Sequence, residues 1–481
     1  MRVAVIQRVL GLFLVLFTLA LIPPSLISIW YRDGELFHFT VSMAVFLITG
    51  LLLWLPVRSV RADLRGREVF VIVALFWVAL GLLSGLPFMF GPHLTFTDSA
   101  FEAVSAFTTT GATVIVGLDD LPKSVLFYRA ELQWLGGMGV VVLAVAILPM
   151  LGVGGMQLYR AETPGPMKDE KITPRISQSA RALWGIYVGL TALCALSFWL
   201  AGMSWFDAVA HSFTTLSTGG FSTHDASMGY FNSPAIDLIA PVFMLAGGIN
   251  FSVHFLVLRG RAPGSYWRDP EVRTFLLVVL ALTLVIACML LFKGRYSTPF
   301  EAFRYSFFQV ASVITSTGFT TDNFSVWPLF VPVLLMLSSF MGGCAGSTAG
   351  GMKVIRMLII SKQAKRDIDG LVHPSRVQPL KLGGRVIPDR VLDAVWGFFS
   401  TYVAAFSLIM LTVMATGVDH VTAFSAVTTC INNLGPGLGR VTSNFVTINP
   451  VAKWLLVMTM LLGRLEVFTL LVLLSPRFWR G

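Results

Sequence analysis

Four short runs rich in Thr, Ser or Asn are spread along the chain, and each contains a glycine. The runs are FTTTGAT, TTLSTGGF, ITSTGF and TCINNLGPGLG, with glycines at Gly111, Gly219, Gly318 and Gly435. These glycines are 108, 99 and 117 residues apart, which indicates an internal repeat of about a quarter of the chain. Glycine lets a backbone turn its carbonyl oxygens toward an axis, and carbonyl and hydroxyl oxygens can replace the water around a cation. Four such loops around one axis predict an ion-selective pore.

Alignment of the four runs on these glycines predicts a cation filter with four residues from each run. The candidate filter residues are Thr109, Thr110, Gly111 and Ala112; Ser217, Thr218, Gly219 and Gly220; Ser316, Thr317, Gly318 and Phe319; and Asn433, Leu434, Gly435 and Pro436. In the fourth run Leu434 stands where the others have Thr, so no hydroxyl ligand is expected there. One such motif alone would more often pack membrane helices together, whereas four in register favour a filter.

The composition predicts a membrane protein. Of the 481 residues, 55% are hydrophobic and only 12% are charged, and the mean hydropathy is +0.77. In a soluble protein about 25% of the residues are charged. The apolar runs are continuous rather than alternating, which predicts an all-α polytopic membrane protein and argues against a β-barrel. The isolated cysteines argue against a disulfide framework or a zinc site, and the apolar N-terminal run is interpreted as a transmembrane helix rather than a signal peptide.

Windows of about 20 apolar residues predict ten transmembrane helices. They lie near 9–30, 39–57, 68–91, 135–157, 181–203, 236–259, 274–293, 329–360, 392–416 and 452–476. A shorter stretch before each glycine loop is interpreted as a re-entrant half-helix, near 98–109, 205–216, 301–316 and 420–432. Each half-helix would direct the negative end of its dipole at the loop, which favours a cation.

This order divides the chain into an N-terminal addition and four tandem helix–pore loop–helix repeats around a pseudo-fourfold pore. The predicted boundaries are 1–60 for the two-helix addition, 61–160 for the first repeat, 161–262 for the second, 263–370 for the third with an intramembrane gating loop, and 371–481 for the fourth.

The basic residues predict the orientation in the membrane, because cytoplasmic loops concentrate Lys and Arg. Basic clusters follow the second, fourth, sixth and eighth predicted helices, whereas 222–240 and 320–330 contain neither Lys nor Arg. We therefore expect both termini in the cytoplasm and the glycine loops to enter from outside. Acidic residues in the outer loops would raise the cation concentration near the mouth, although each alone could be ordinary loop polarity. They are Asp119, Asp120, Asp225, Asp237 and Asp322.

The eighth predicted helix is interrupted by a run of small residues. One glycine could belong to a close packing face, but a helix with so many glycines is not stable on its own. The run therefore predicts an unwound, movable segment across the pore, and only the third repeat is expected to contain such a break. Its residues are Gly342, Gly343, Cys344, Ala345, Gly346, Ser347, Thr348, Ala349, Gly350 and Gly351.

Arg464 lies in the middle of the last predicted helix, in VMTMLLGRLEVFTLL. An arginine buried at this depth is costly, so it should face protein or water rather than lipid. It could be a fixed positive charge below the filter or part of a structural pair, and Glu466, two residues on, does not share its helical face. His211 and His254 are expected to be packed or hydrogen-bonded rather than ligands, and Asn250 is a weaker cavity candidate.

Several of these motifs together resemble the Trk/Ktr/HKT superfamily of potassium transporters, and specifically its TrkH/TrkG branch. The resemblance covers nearly the full length. It rests on FEAVSAFTTTGAT, QWLGGMG, TTLSTGGFSTHD, TSTGFTTDNF, GGCAGSTAGGMK, NNLGPGLG and LGRLEVFTLL. Two extra helices before the first repeat fit this branch better than the shorter Ktr chains.

The resemblance implies a K⁺-selective pore in the bacterial inner membrane, a homodimer, and a cytosolic TrkA-type nucleotide-binding ring docked on the basic face. It also implies that the intramembrane loop gates the pore, and it favours a gating role for Arg464 beside that loop. In this superfamily a serine at the first-loop glycine is associated with sodium transport. Glycine at that position, Gly111, and at the other three positions therefore favours potassium.

Other functional classes fit less well. The sequence contains no GKS/T phosphate loop and no GxGxxG after a strand, so we expect no bound cofactor and no enzyme activity. Energy would come from the membrane potential or from a coupled ion, and an H⁺- or Na⁺-coupled symporter of K⁺ or Na⁺ stays open as the alternative. The repeats all run in the same direction, unlike the inverted repeats of many solute carriers, and no arginine ladder of a voltage sensor is present. The expected partners are membrane lipid, a second copy of the chain and the cytosolic ring, not nucleic acid.

Overall fold

The computed structural model describes residues 1–60, 66–151, 176–260, 263–328, 330–373, 379–467, 470, 472–473 and 475–479. The described chain is mostly helical, which confirms the predicted all-α polytopic membrane fold. Some sequence predictions fall outside the described residues. They are the end of the predicted helix at 135–157, the repeat boundary at 160–161 and the basic residues within 61–65, 160–175, 261 and 376.

The helices are numbered here in chain order. They are α1 Val3–Phe17, α2 Ile22–Tyr31, α3 Leu36–Trp54, α4 Gly66–Leu83, α5 Leu86–Phe90, α6 Phe96–Phe107, α7 Lys123–Leu151, α8 Ile176–Leu200, α9 Trp205–Leu216, α10 Pro234–Gly248, α11 Phe251–Gly260, α12 Ser265–Arg268, α13 Pro270–Phe292, α14 Pro299–Ile314, α15 Phe330–Ser339, α16 Val354–Val372, α17 Asp389–Ala415, α18 His420–Ile431, α19 Pro450–Arg464 and α20 Pro476–Trp479. Two short antiparallel strands, β1 Lys381–Leu382 and β2 Arg385–Val386, form a hairpin between α16 and α17. Single 3₁₀ turns lie at Thr18–Leu21, Leu55–Val57, Leu118–Asp120, Ser227–Phe231, Phe324–Val326 and Gly439–Val441.

Six continuous stretches of described helix are long and apolar enough to cross a membrane. They are Val3–Tyr31, Leu36–Val57, Arg67–Phe90, Arg181–Leu200, Pro270–Phe292 and Asp389–Ala415. Helices α10 and α11 make a seventh span if they are counted as one, although they are bent by 98°. The other three predicted spans correspond to α7, to α15 followed by α16, and to α19, which ends after 15 residues.

The four predicted half-helices are α6, α9, α14 and α18, and each begins with a side-chain cap. The side chains of Thr95, Ser204, Thr298 and Asp419 accept hydrogen bonds from the backbone N–H three residues later. Such caps satisfy a free N–H of the first helical turn and fix where the helix begins. The observed bounds differ by up to two residues from the predicted ones, because these caps and not the apolar pattern determine the first residue.

In all four repeats the helix after the glycine loop is interrupted: the third repeat has the long glycine-rich break, and the other three have shorter interruptions that were not predicted from the sequence. Helix α7 contains Gly139 at φ +42°, and the path from α10 to α11 bends at Ile249 and Asn250. The third repeat has the long break between Ser339 and Val354, and α19 ends at Arg464, just before Glu466 at φ +50°. The breaks at GGIN and at LGRLE were missed because the surrounding sequence is as apolar as an ordinary span.

The C-terminal parts of the four half-helices lie inside the protein rather than against lipid. Every residue from Ser99 to Phe107 in α6 and from Thr422 to Ile431 in α18 is buried, apart from Phe424. Aromatic rings pack around the end of α6, where the centroids of Trp77 and Phe107 are 4.9 Å apart. Because the flanking helices cover the half-helices, the irregular backbone that follows them is shielded from lipid, as non-helical backbone inside a membrane must be.

Candidate ion-binding site

The four glycine loops follow the same backbone path. Directly after the C-cap of each half-helix comes a residue in the left-handed region, and two residues later comes a glycine with positive φ. The first set is Thr109, Thr218, Ser316 and Asn433, with φ of 58°, 52°, 54° and 53°. The glycines are Gly111, Gly220, Gly318 and Gly435, with φ of 78°, 75°, 86° and 94°. Non-glycine residues rarely adopt positive φ, so this shared path is a specific feature of the four loops.

The equivalent glycine of the second loop is therefore Gly220, and the alignment on Gly219 is wrong by one residue. The half-helix α9 ends at Leu216 with Ser217 as its C-cap, so the glycine three residues after the cap is Gly220. In sequence the second run has two adjacent glycines, and either could be matched to the other runs. The position of the helix end decides between them, and it places Ser217 at the cap rather than inside the loop.

The four loops contact one another in a closed ring. A Cβ atom added to any of the four glycines would collide with the backbone of the next repeat. The collision is with the carbonyl group two residues after the half-helix C-cap of that next repeat, or with the residue that follows this carbonyl. The pairs of glycine and carbonyl are Gly111 with Gly219, Gly220 with Thr317, Gly318 with Leu434, and Gly435 with Thr110. The contacts run from the first repeat to the second, third and fourth and back to the first. The sequence repeat is thus a cyclic arrangement in space.

The ring brings together the chemical groups that bind a dehydrated cation. Backbone carbonyl groups of four loops meet at the C-terminal ends of four half-helices, where the helix dipoles contribute partial negative charge. Side-chain hydroxyls are not part of the shared pattern, since the position before the glycine is Thr110, Gly219, Thr317 or Leu434. The Thr110 hydroxyl is hydrogen-bonded to that of Thr108 at 2.8 Å, and the Thr317 hydroxyl to that of Thr315 at 2.7 Å. Backbone carbonyls are therefore the groups that all four repeats offer.

A cavity of about 430 Å³ lies on one side of the ring. We call it the vestibule, and the face of the protein on which it opens the vestibule face. The face expected to carry the basic clusters is called the basic face. The vestibule is lined by the four ring glycines and by the segments that follow them, including Ala112, Phe221 and Pro436. Gly219 is not among its lining residues. Of the acidic loop residues, Asp225 and Asp322 line it, whereas Asp237 is buried against Arg304 at 3.3 Å.

A histidine at the vestibule links two acidic residues. The Nδ1 atom of His224 contacts the carboxylate of Asp119, and its Nε2 atom lies 3.5 Å from Oδ1 of Asp207. Burial alone would lower the pKa of the His224 imidazole, but the two carboxylates outweigh burial and raise that pKa above its ordinary value. The ring of His224 also stacks on Tyr230 with centroids 3.5 Å apart. The imidazole therefore connects the loop of the first repeat to the half-helix of the second.

One face of α7 holds the second loop. Nη1 of Arg129 donates a hydrogen bond to the carbonyl of Ser222 at 3.1 Å, and Nη2 donates to the hydroxyl of Thr113 at 3.1 Å. The charge of this buried arginine is balanced by Glu102 of α6, with Nε and Oε1 2.9 Å apart. Arg129 and its neighbour one turn away, Gln133, were missed in the sequence. Their partners are far apart in the chain, and the QWLGGMG motif, which begins at Gln133, does not indicate what that side chain contacts.

The small-residue segment between α15 and α16 lies against the ring on the side away from the vestibule. The hydroxyl of Thr348 donates to the carbonyl of Leu216 at 3.0 Å and lies 3.3 Å from the hydroxyl of Thr218. The backbone N–H of Gly350 donates to the hydroxyl of Ser316 at 2.6 Å. The segment thus contacts the second and third loops at the residues in the left-handed conformation.

Arg464 completes these contacts from the fourth repeat. Its guanidinium donates to the hydroxyl of Thr109 at 3.3 Å and to the carbonyl of Thr348 at 3.1 Å. The same group donates to the carbonyls of Gly136 and Gly137, at 2.5 and 3.1 Å, where α7 approaches its break. A positive charge and the small-residue segment therefore lie together at the side of the ring away from the vestibule.

The remaining residues of the segment anchor it to its neighbours. The N–H of Cys344 donates to the carbonyl of Gly248 at 2.8 Å, and the carbonyl of Gly346 accepts from Phe251 at 3.1 Å. Ser347 bonds back to Cys344, and the carbonyl of Ala349 accepts from the side chain of Lys353. Gly342 and Gly351 pack so closely that a Cβ on Gly351 would lie 2.7 Å from the Gly342 Cα. The carbonyl of Gly343 accepts from Val354, and the N–H of Ala345 donates to Glu271 of α13 at 2.7 Å.

The three remaining polar candidates are held by hydrogen bonds. His211 contacts the carbonyl of Asp207 at 2.9 Å and the hydroxyl of Ser222 at 3.0 Å. His254 contacts the Tyr266 hydroxyl at 2.7 Å, and the side-chain oxygen of Asn250 caps α11. In the part of the chain that the structure describes, no group of three His, Cys, Asp or Glu side chains could hold a metal ion. Cation binding at the ring would instead rely on backbone oxygens.

Comparisons with known proteins agree on one family. A family model described as "TrkH: Cation transport protein" matches residues 35–480. The chain is 55% identical over 482 residues to the Trk system potassium uptake protein TrkH of Escherichia coli K12, covering 100% of both proteins. It is 40% identical to TrkG of the same organism, covering 100% of this chain and 99% of TrkG. The crystal structure of the potassium transporter TrkH from Vibrio parahaemolyticus matches with a TM-score of 0.91 and 51% identity, over 100% of both chains.

Proposed function

Because the chain belongs to the TrkH family of cation transport proteins, we propose that it is the pore-forming subunit of a potassium uptake system. The relatives with more than half of their residues identical are named as Trk system potassium uptake proteins. The observation that carries the proposal is the closed ring of four glycine loops. The ring supplies carbonyl oxygens and helix C-termini, which bind a cation and repel an anion.

In the proposed mechanism, K⁺ enters the vestibule, gives up water and is bound by the carbonyl oxygens of the ring. Of the sixteen filter residues deduced from the sequence, Ser217 is the cap of its half-helix rather than part of the loop, and Gly220 rather than Gly219 is the ring glycine of the second loop. Glycine occupies the ring position in all four loops, so no ring side chain competes with the carbonyls. This agrees with the association of glycine, rather than serine, with potassium.

We propose that the segment from Gly342 to Gly351, together with Arg464, gates the pore. Both contact the ring on the side away from the vestibule, and the guanidinium would repel a cation that leaves the ring. The segment is held by hydrogen bonds to several elements rather than by helical bonds, so it can be released without unfolding a helix. Opening would require the Thr348 and Gly350 contacts to break.

The assembly and orientation are proposed on the same grounds. The vestibule face would be periplasmic and the basic face cytoplasmic, with both termini on the cytoplasmic side of the bacterial inner membrane. A second copy of the chain and a cytosolic TrkA-type nucleotide-binding ring would complete the system, since the relatives are named as parts of a Trk system. The four tandem repeats would extend over 61–160, 161–262, 263–370 and 371–481, after the two-helix addition at 1–60.

The test is transport in cells that lack potassium uptake. Expression of the chain should restore growth at low K⁺ and produce Rb⁺ uptake that Na⁺ does not match. Purified protein in liposomes should carry Rb⁺ in response to a membrane potential at equal pH and equal Na⁺ on both sides. Rb⁺ flux that requires an H⁺ or Na⁺ gradient would instead support the coupled symporter. No growth and no flux, with the protein present in the membrane, would contradict the proposal.

A further inference from the structure

We propose that Gln133 of α7 is a specificity-determining residue. It holds one carbonyl of the ring by a hydrogen bond, so that the four ring carbonyls are not equivalent toward a bound ion. The inference rests on the proposed function. Gln133 is fully buried in the first repeat and reaches the loop of the second. Its Nε2 atom donates a hydrogen bond to the carbonyl of Gly219 at 2.7 Å, and its Oε1 atom accepts one from the N–H of Phe221 at 3.0 Å. The two bonds hold the residues immediately before and after the ring glycine, Gly220.

The carbonyl of Gly219 is one of the four that form the ring contacts. Its equivalents are the carbonyls of Thr110, Thr317 and Leu434. Among the described residues, none of these three accepts a hydrogen bond, whereas Gly219 accepts the one from Gln133. A carbonyl that already accepts an N–H has less negative potential for an ion and less freedom to turn. The ring is therefore fourfold in its backbone but not in its electrostatics.

Gln133 and Gly219 fit each other in shape. A Cβ on Gly219 would lie within 2.9 Å of the Gln133 amide nitrogen, so the side chain can approach only because this residue is a glycine. Gly219 has no positive φ, so its backbone conformation does not require glycine. In the first and third loops the same position is Thr, whose hydroxyl braces the loop through the C-cap hydroxyl. In the second loop Gln133 supplies the brace from another repeat.

The experiment compares Gln133→Leu and Gln133→Glu in the full-length protein, expressed in cells deficient in potassium uptake. The leucine side chain is similar in size to glutamine but can make neither of the two hydrogen bonds. Glu keeps an acceptor for Phe221 but, when ionised, removes the donor to Gly219. The ratio of initial Rb⁺ to Na⁺ uptake should fall roughly 3- to 10-fold in both variants, the factor expected for one lost hydrogen bond. The matched control is Gln7→Leu. The Gln7 side chain also donates a hydrogen bond to the carbonyl of a residue distant in the chain, Leu53, at 3.1 Å.

The outcomes separate this inference from the proposed function. If wild type and Gln7→Leu carry no Rb⁺, the proposed function fails. If they carry Rb⁺ and both Gln133 variants keep the wild-type ratio, Gln133 is only a packing residue and the inference is overturned. If the Gln133 variants are absent from the membrane, Gly219→Ala decides, because its Cβ displaces the Gln133 amide without burying a new polar group. A lowered Rb⁺/Na⁺ ratio in Gly219→Ala supports the inference, and an unchanged ratio overturns it.

Discussion

Replacement of Gly220 by alanine should abolish most transport, whereas the same change at Gly219 should not. The backbone of Gly220 has φ +75°, a conformation that costs an L-residue about 1–2 kcal/mol. Its new Cβ would also collide with the carbonyl oxygen of Thr317, which belongs to the next loop and cannot move alone. The backbone strain alone lowers the equilibrium constant for the native ring roughly 5- to 30-fold, and the collision adds to that. At Gly219 the three atoms nearest to the new Cβ all belong to the amide end of the flexible Gln133 side chain.

The assay is the initial rate of Rb⁺ uptake in cells that lack other potassium uptake, normalised to the amount of protein in the membrane. Gly185→Ala is the matched control, since a Cβ added to this residue of α8 has no atom within 4 Å other than its chain neighbours and the nearby backbone of its own helix. We expect the control to transport like wild type, Gly219→Ala to keep Rb⁺ uptake with a lower Rb⁺/Na⁺ ratio, and Gly220→Ala to lose most Rb⁺ uptake. Normal uptake in Gly220→Ala together with loss in Gly219→Ala would refute the ring register derived from the helix ends.

Three further changes test other parts of the account. Gly111→Ser has the same backbone strain and the same kind of collision, with the Gly219 carbonyl, so it should reduce total Rb⁺ uptake as Gly220→Ala does. The transport that remains should discriminate less between K⁺ and Na⁺, measured as competing Rb⁺ and Na⁺ uptake; unchanged selectivity would count against the filter. Deletion of several residues within 343–350 should raise basal Rb⁺ flux, and an unchanged flux would indicate that this segment only packs. Because the folded state raises the pKa of His224, the stability from its ion pairs is present below about pH 6.5 and is lost as the pH rises through the folded pKa. The thermal midpoint of wild type should therefore fall more than that of His224→Gln between pH 6 and pH 9, and parallel curves would contradict this.

The parts of the site that the sequence predicts are those encoded locally. Apolar length identified the half-helices, and the Thr/Ser–Gly runs identified the loops that follow them. The alignment of the second loop with the other three could not be determined from the sequence, because Gly219 and Gly220 are adjacent and only the end of α9 distinguishes them. The caps at Thr95, Ser204 and Thr298, each followed three residues later by an acid, were available signals that would have fixed the helix starts.

The parts that the sequence does not predict depend on contacts between repeats. Gln133 reads as an ordinary polar residue in an apolar helix, and its partner is 86 positions away in the chain. Arg464 could be identified as facing protein or water, but the hydrogen bonds described for it go to residues of the first and third repeats. The interruptions of α7 and of α10–α11 were missed because apolar composition does not separate a straight span from a broken one.

The most direct test of the central claim is to locate the ion. Crystals grown in RbCl, with data collected at the Rb absorption edge, should show anomalous density on the axis of the ring, between the loops that contain Gly111, Gly220, Gly318 and Gly435. The same crystals grown in NaCl with no Rb⁺ should show none. Strong Rb⁺ density elsewhere in the protein, with none at the ring, would contradict the assignment of the four loops as the filter.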